Sequence, residues 1–273
     1  MLHPNQACPR DGLDPFVRPT FIIAHALAAR MGTSPGGSRL VVARENLRGY
    51  RGLTFDGYGA LLQGGPDELP RVLARLLSDA GKVVDRSVRD AWRKALRTKF
   101  VADSFIAFRE VHRQVFQDLF ARYGIRADLD ASIDEAFDEY RLAKAYPEVS
   151  GVLHELERDV AMAIISNMDT AILLEALHRN GLSFTFVVAS EEEQRYKPSA
   201  SIFQRAIRYL GLPPANILHV GGSYLVDVVG ATSLGMGAAL VDRESGPRQD
   251  SNPSRRVIRS LNDLPDLIRK SWG

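Results

Sequence analysis

Apolar residues in the larger part of the chain follow two alternating patterns. Short apolar runs, which are typical of buried strands, occur at 52–55, 160–165, 185–189, 217–221 and 237–241. Between the later runs, apolar residues recur with helical spacing. Strands that alternate with helices of this length predict a doubly wound, Rossmann-like α/β fold, in which helices cover both faces of a parallel sheet.

The stretch 67–146 breaks this alternation, because it carries helical stripes and almost no strand pattern. Leu69 and Val72 belong to one stripe, and Val111 and Val115 belong to another. The pattern therefore predicts an all-helical insert after the first strand. We predict an irregular, proline-rich N-terminal extension over residues 1–47. The core is split into residues 48–66 and 147–273, and the insert covers residues 67–146.

Composition and charge narrow the class of partner. The chain has 273 residues, of which 45% are hydrophobic, and this is enough for a sizeable buried core. The formal net charge is only +2, and the absence of a long basic run argues against a nucleic-acid groove or a polybasic membrane surface. No apolar run is long enough to cross a bilayer. A small-molecule partner fits best, and a homodimer is left open.

The cysteine content and the N-terminal stretch indicate the cellular compartment of the protein. Cys8 is the only cysteine, so the sequence has no internal disulfide, and we predict a reducing, cytoplasmic setting. The apolar segment 21–29 is a poor secretory leader, because it is short, contains His25 and follows a long lead of mixed charge. We expect an extension with no role in catalysis.

The first strand run ends in a carboxylate. Asp56 follows it directly, and Gly57 and Gly59 allow the backbone to turn sharply. Ligands in open α/β sheets bind just beyond the carboxyl ends of the strands. A carboxylate in that position can act as a nucleophile that forms a covalent ester, although Asp-Gly after a strand is also common turn chemistry.

Three later segments place further polar groups at predicted strand ends. Ser166 and Asn167 offer a hydroxyl and an amide to an anionic substrate group. Lys197 precedes a predicted helix, where its ammonium can hold a nearby carboxylate ionised. The fourth run leads through Ser223 to Asp227. Each is ordinary turn or helix-end chemistry when taken alone, but their order around a helical insert favours one shared site.

Together these segments resemble the haloacid dehalogenase superfamily of hydrolases, over about residues 50–245. The insert resembles the helical cap that members of this family carry after the first motif. The segments similar to the four family motifs are Phe55-Asp56-Gly57-Tyr58-Gly59, Ser166-Asn167, Tyr196-Lys197-Pro198 and His219-Val220-Gly221 through Asp227. The resemblance implies a nucleophilic Asp56, substrate contacts from Ser166 and Asn167, an electrostatic role for Lys197, and a small substrate enclosed between cap and core.

Three positions depart from the family pattern and bear on the reaction. Tyr58 stands where the phosphatases carry a second aspartate, which protonates a poor leaving group. A halide leaves without a proton, so Tyr58 favours cleavage of a carbon–halogen bond. Ala60 replaces a threonine hydroxyl. Gly222 replaces a metal-binding aspartate, which leaves Asp56 and Asp227 as weak ligands if Mg²⁺ is used.

The predicted cap offers one further signal. Trp92-Arg93 resembles a Trp-Arg pair of dehalogenase caps, in which the arginine meets the substrate carboxylate and the leaving group. A guanidinium is suited to bidentate recognition of a carboxylate. The alternative is a surface arginine beside a core tryptophan.

We therefore interpret the chain as a dehalogenase-like hydrolase that acts through an aspartyl ester on Asp56, with Lys197 and Asp227 as the other catalytic residues. The predicted substrate contacts are Tyr58, Arg93, Ser166, Asn167 and Ser223. A 2-haloacid is slightly preferred as the substrate. A magnesium-dependent small-molecule phosphatase is the second interpretation, because the spacing from Val220 to Asp227 is similar to that branch. A non-catalytic binding protein of the same fold is the third, based on Ala60 and Gly222. No cofactor is certain.

Overall fold

A computed structural model describes residues 49–66, 68–102, 104–243 and 256–271. The strands within these ranges are β1 (Gly52–Phe55), β2 (Ala161–Ser166), β3 (Val187–Ala189), β4 (Ile217–Gly221), β5 (Gly237–Val241) and β6 (Arg256–Ile258). They form one sheet of order β3-β2-β1-β4-β5-β6, and every pairing is parallel. The predicted extension 1–47, including Cys8, lies outside the described residues.

Helices connect the strands and form the insert after β1. Their bounds are α1 (Arg71–Asp79), α2 (Arg86–Phe100), α3 (Phe108–Tyr123), α4 (Leu129–Arg141), α5 (Val149–Leu156), α6 (Thr170–Arg179), α7 (Ser190–Glu193), α8 (Ala200–Leu210), α9 (Val229–Thr232) and α10 (Leu264–Lys270). A single π-helical turn covers Tyr224–Val228, and short 3₁₀ turns cover Pro214–Asn216 and Leu261–Asp263. In the part of the chain that the structure describes, no helix is long and apolar enough to span a membrane.

The order of the strands creates a crevice beside β1. The chain runs outward from β1 through β2 to β3, and then returns to β4 on the opposite side of β1. Phe55 at the end of β1 is in register with Val220 of β4, and both side chains are fully buried. Ligands in doubly wound sheets bind where the strand order reverses in this way. The residues that directly follow β1 and β4 therefore meet at the expected binding edge.

The predicted α/β core with a helical cap is confirmed. Helices α1 to α4 follow β1 before the sheet resumes, while the exact limits 67 and 146 stay predictions. Local signals explain where some of these helices begin and end. The carboxylate of Asp85 accepts a hydrogen bond from the backbone N–H of Val88 at 3.1 Å and caps α2. Helix α3 stops at Gly124, which has a φ of 69° that favours glycine.

A buried histidine lies in the aromatic interior of the cap. His112 is fully buried, and its ring centroid lies 5.4 Å from Trp92 and 5.2 Å from Phe137. Its Nδ1–H donates to the carbonyl oxygen of Phe108 at 3.0 Å, so Nε2 accepts from the Tyr140 hydroxyl at 3.0 Å. Burial lowers the pKa of His112 to about 4, and the imidazole is therefore neutral near neutral pH.

This histidine makes the stability of the protein sensitive to acid. In the unfolded chain a histidine titrates near pH 6.5, so below that pH the unfolded state takes up the proton first and is favoured. The contribution is complete above the unfolded pKa and is lost as pH falls towards the folded pKa of about 4. As the pH falls across this range, we expect proton uptake by His112 in the unfolded chain to lower the free energy of unfolding by about 3 kcal/mol.

Urea unfolding at a series of pH values measures this effect. The variant His112→Gln should make the free energy of unfolding fall less steeply between about pH 6.5 and about pH 4, while the buried His219 keeps its own contribution. His178→Gln is the matched control, because His178 is exposed and should leave the dependence as it is in the wild type. If the free energy of unfolding of His112→Gln varies with pH as it does in the wild type, His112 is not the source of the acid sensitivity.

Candidate active site

The chain turn after β1 delivers a carboxylate to the binding edge of the sheet. Asp56 follows β1 directly, and its backbone N–H donates to the carbonyl of Val220 at 2.9 Å, which continues the pairing with β4. Gly59 has a φ of 86°, a conformation that other residues rarely adopt. The side chain of Asp56 is 15% exposed and faces a cavity of about 380 Å³.

All eight predicted site residues line this one cavity. They come from the ends of β1, β2 and β4, from the segment before α8, and from α2 of the cap: Asp56, Tyr58, Arg93, Ser166, Asn167, Lys197, Ser223 and Asp227. The lining residues that the sequence interpretation did not include are, among others, Glu68, Phe100, Tyr146, Asp242 and Arg243. The structure thus brings the predicted residues together, while the chemical role of each remains a prediction.

A buried ammonium joins the carboxylates of Asp56 and Asp227. Lys197 Nζ lies 2.7 Å from Asp56 Oδ1 and 2.7 Å from Asp227 Oδ1, and the lysine side chain is only 1% exposed. Burial alone would lower the pKa of Lys197, but the two carboxylates hold it above its ordinary value. The lysine is therefore charged, and its ammonium fixes the orientation of the Asp56 carboxylate.

Asp227 is fully buried and bonded on both oxygens. Besides Lys197, its Oδ1 lies 3.3 Å from His219 Nε2, and its Oδ2 accepts from the backbone N–H of Ser223 at 2.9 Å. Gly221 makes this approach feasible, because a Cβ there would lie 2.3 Å from Asp227 Cγ. Burial by itself would raise the pKa of Asp227, but Lys197 and His219 hold it below its usual range. The carboxylate is thus a buried anion and a weak base.

A buried pair behind Asp227 was not identified from the sequence. His219 on β4 is fully buried, and its Nδ1 lies 2.9 Å from the Oγ1 of Thr54, which is also buried. Because Nε2 faces a carboxylate, Nε2 carries the proton and the Thr54 hydroxyl donates to Nδ1. Burial lowers the pKa of His219, which keeps the ring neutral. The sequence signal for this pair is one polar residue, Thr54 or His219, in the middle of each of two apolar strand runs.

Two predicted substrate contacts make hydrogen bonds within the protein. Asn167 Oδ1 accepts from the backbone N–H of Lys197 at 2.7 Å, and Asn167 Nδ2 donates to the Lys197 carbonyl at 3.1 Å. The Tyr58 hydroxyl donates to the carbonyl of Tyr140 in the cap at 3.1 Å, and burial raises the pKa of Tyr58. Asn167 therefore holds the segment that presents Lys197, and Tyr58 connects the core to the cap.

Ser223 and Arg93 are better placed for a ligand. The Oγ of Ser223 is buried and has no hydrogen-bond partner among the described residues. Arg93 reaches the cavity from α2, and its Nη1 lies 3.4 Å from Asp90 Oδ1. Its neighbour Trp92 is fully buried and donates from Nε1 to the carbonyl of Pro66 at 2.9 Å. The tryptophan thus belongs to the core of the cap, while the arginine faces the cavity.

Residue 60 does not line this cavity. Ala60 is fully buried.

Arg243 lines the cavity and is held by several contacts. Its Nη2 donates to the carbonyl of Ala60 at 3.0 Å, and its Nη1 lies 2.6 Å from Glu148 Oε1. The guanidinium also stacks over the ring of Tyr146 at 3.5 Å. Arg243 was missed because its partner carboxylate is 95 positions away in the sequence.

The predicted weak Mg²⁺ site does not fit the donors that are present. Mg²⁺ requires several oxygen ligands in near-octahedral geometry. Both oxygens of Asp227 are taken by protein donors, and the Lys197 ammonium lies between Asp227 and Asp56. Gly222 adds no side-chain ligand, and no group of three or more His, Cys, Asp or Glu residues is arranged for a metal within the described ranges.

Comparison with known proteins gives a family-level match. A family model described as haloacid dehalogenase-like hydrolase matches residues 50–235. An (S)-2-haloacid dehalogenase from Pseudomonas fluorescens is 21% identical over 230 residues, which are 82% of this chain and 99% of that protein. A glyceraldehyde 3-phosphate phosphatase from Methanothermobacter thermautotrophicus is 34% identical over 138 residues, which are 48% of this chain and 61% of the phosphatase. For several other curated relatives, the chain spans about half of their length.

A solved structure has the same fold. The L-2-haloacid dehalogenase from Xanthobacter autotrophicus superposes with a TM-score of 0.66, over 81% of this chain and 99% of that one. The two sequences are 22% identical.

Proposed function

Because the chain belongs to the haloacid dehalogenase-like hydrolase family, we propose that Asp56 attacks a carbon that bears a halogen in a small organic acid. The observation that carries the proposal is the buried arrangement in which Lys197 bonds Asp56 and Asp227 at 2.7 Å each. It supplies an oriented nucleophile and a fixed positive charge, and it requires neither a metal ion nor a general acid. The (S)-2-haloacid dehalogenase among the relatives supports the same reaction class.

The first step displaces the halide. An oxygen of Asp56 forms a bond to the carbon, and the carbon–halogen bond breaks with its electron pair going to the halide. Negative charge thereby moves from the carboxylate to the leaving group. Arg93, which lines the cavity from the cap, can stabilise this charge and the carboxylate of the substrate. The Ser223 hydroxyl can donate a further hydrogen bond to an anionic substrate group.

The second step releases the product. Water adds to the carbonyl carbon of the Asp56 ester, the bond between that carbon and the alkyl oxygen breaks, and a hydroxy acid leaves. One proton of the water ends on the alkyl oxygen, the other passes to solvent, and the Asp56 carboxylate is restored. Asp227 is a weak base here, because its oxygens are bonded and its pKa is held low. We assign it the positioning of Lys197 and not the deprotonation of the water.

The poor fit of Mg²⁺ to the described residues of the site yields a direct test. We expect 2-chloropropionate to release chloride at a rate that EDTA does not change, because no step uses a metal ion. We expect no phosphate release from phosphorylated metabolites under the same conditions. Ion chromatography of both anions, with and without added Mg²⁺, makes the measurement. Magnesium-dependent phosphate release would contradict the proposal, and an absence of turnover in both series would favour the non-catalytic alternative.

A small-molecule phosphatase is the second candidate. It is supported by the 34% identity to glyceraldehyde 3-phosphate phosphatase. The cavity contains Lys197 and Arg93 as positive charges for a phosphate group. Tyr58 opposes this candidate, because its hydroxyl proton is donated to the Tyr140 carbonyl at 3.1 Å and is not aimed at a leaving group.

A further inference from the structure

A second cavity adjoins the catalytic cavity. Its volume is about 560 Å³, and it shares the lining residues Arg93, Phe100, Lys197 and Val226 with the catalytic cavity. Cavities of about 300–1,000 Å³ accommodate drug-sized ligands, so a three-carbon haloacid needs only part of the first one. The structure therefore provides space beside the reacting carbon for a larger substrate.

Helix α2 contributes a basic part of the lining of this second cavity. Arg93, Lys94 and Arg97 line it, and they occupy one face of the helix together with Asp90. Asp90 is the only acidic side chain among the described lining residues. It lies 3.7 Å from Arg86 and 3.4 Å from Arg93, so its charge is already shared between two guanidinium groups. Three basic side chains on one helix face favour an anionic ligand group.

The rest of the described lining of the second cavity is largely apolar. It includes Phe100 and Val101 at the end of α2, and Pro198, Leu225 and Val226 from the core. Val101 is 67% exposed and Leu225 is 52% exposed, so both present hydrophobic surface that a ligand could cover. A ligand that matches both parts of the lining has an apolar body and ends in an anionic group.

We propose that the second cavity binds a distal anionic group of the substrate. The substrate class is then a halogenated organic acid whose apolar chain ends in a second carboxylate or in a phosphate-type group. Its reacting carbon faces Asp56, its chain passes between Phe100 and Val226, and its distal anion meets Lys94 and Arg97. This substrate class rests on the function proposed above, whereas the binding of the distal anion by α2 can be measured without turnover.

Unreactive acids of matched length test the binding site. The probes are succinate, adipate and suberate, each paired with the monocarboxylate of equal chain length, and the corresponding ω-phosphono acids. At least one dianion should bind to the wild-type protein about tenfold more tightly than its monocarboxylate partner in isothermal titration calorimetry. A preference for the dicarboxylates assigns a carboxylate as the distal group, and a preference for the phosphono acids assigns a phosphate-type group.

Substitutions on α2 locate the site. In Lys94→Gln/Arg97→Gln the preference for the dianion should fall to within about twofold. Lys82→Gln/Arg89→Gln removes the same charge from exposed cap positions that do not line the cavity, and it should keep the preference. Lys94 is exposed, so Lys94→Gln alone is suitable if the double variant does not fold, and it should lower the preference measurably.

The outcomes separate this inference from the proposed function. Equal affinity of dianions and monocarboxylates, or a preference that survives in Lys94→Gln/Arg97→Gln, overturns the distal site even if a small haloacid is turned over. A preference that depends on Lys94 and Arg97 in a protein that turns over no haloacid supports the anion site and refutes the dehalogenase reaction.

Discussion

Replacement of Asp56 by asparagine is expected to lower turnover by a factor on the order of 10⁴ or more, the scale seen when a catalytic nucleophile is removed. An amide oxygen is a far weaker nucleophile than a carboxylate, so the ester does not form. The fold should survive, because Asp227 still neutralises Lys197 at 2.7 Å and the amide oxygen can accept the same hydrogen bond. Steady-state halide release, together with thermal unfolding, measures both effects.

A matched carboxylate in the same cavity serves as the control for this variant. Asp242 also lines the cavity, and its Oδ2 lies 3.3 Å from Arg259 Nη1. Asp242→Asn removes the same charge from the same cavity and should keep turnover within about threefold, because the carboxylate forms no covalent intermediate. An Asp56→Asn protein that turns over as fast as Asp242→Asn would exclude Asp56 as the nucleophile.

Replacement of Lys197 by methionine is expected to damage both stability and catalysis. The substitution leaves the fully buried Asp227 without its main counter-charge, and loss of one partner of a buried ion pair costs about 3–5 kcal/mol. Turnover should fall by at least about 10²-fold, because the charge that orients Asp56 is gone. Equilibrium unfolding in urea and halide release at saturating substrate measure the two effects.

A double variant separates the two effects of Lys197. In Lys197→Met/Asp227→Asn the fully buried carboxylate is removed together with its counter-charge, and His219 can change tautomer to accept from the new amide. Most of the lost stability should therefore return, while turnover stays low because Asp56 still lacks its ammonium. Recovery of turnover along with stability would show that Lys197 acts only through the fold.

The sequence carried enough information for the core of the fold. Strands β1, β2 and β4 are buried on both faces and appear in the sequence as continuous apolar runs, which is why their positions were predicted closely. Strand β6 was missed because it has three residues at the edge of the sheet, of which Arg256 and Val257 are exposed. Such a strand has no hydrophobic pattern and depends on pairing with β5.

Side-chain partners distant in sequence account for what the site prediction lacked. Asn167 was expected to bind substrate, but both ends of its amide bond the backbone of Lys197, 30 positions away. Tyr58 finds its hydrogen-bond acceptor in the cap, 82 positions away. Residue type and spacing predicted that these side chains would reach the cavity. They did not predict which protein groups would engage them, because that depends on packing between elements.

The family match indicates the fold and the reaction class, whereas the site geometry bears on the substrate and on metal dependence. The match to residues 50–235 gives the fold and the hydrolase class. The local arrangement of Lys197, Asp227 and Gly222 bears on metal dependence, which differs among related phosphatases and dehalogenases. Our preference for a carbon–halogen substrate therefore depends on the donors at this site.

Isotope transfer during a single turnover tests the central claim most directly. The protein in excess over 2-chloropropionate is allowed to react in H₂¹⁸O, and the peptide that contains Asp56 is then weighed by mass spectrometry. Attack by Asp56 on carbon, followed by hydrolysis at the carbonyl carbon of the ester, places one ¹⁸O in the Asp56 carboxylate and an unlabelled oxygen in the product. Chloride release with an unlabelled Asp56 peptide and ¹⁸O in the product hydroxyl would mean that water attacks the substrate directly, and this would contradict the account.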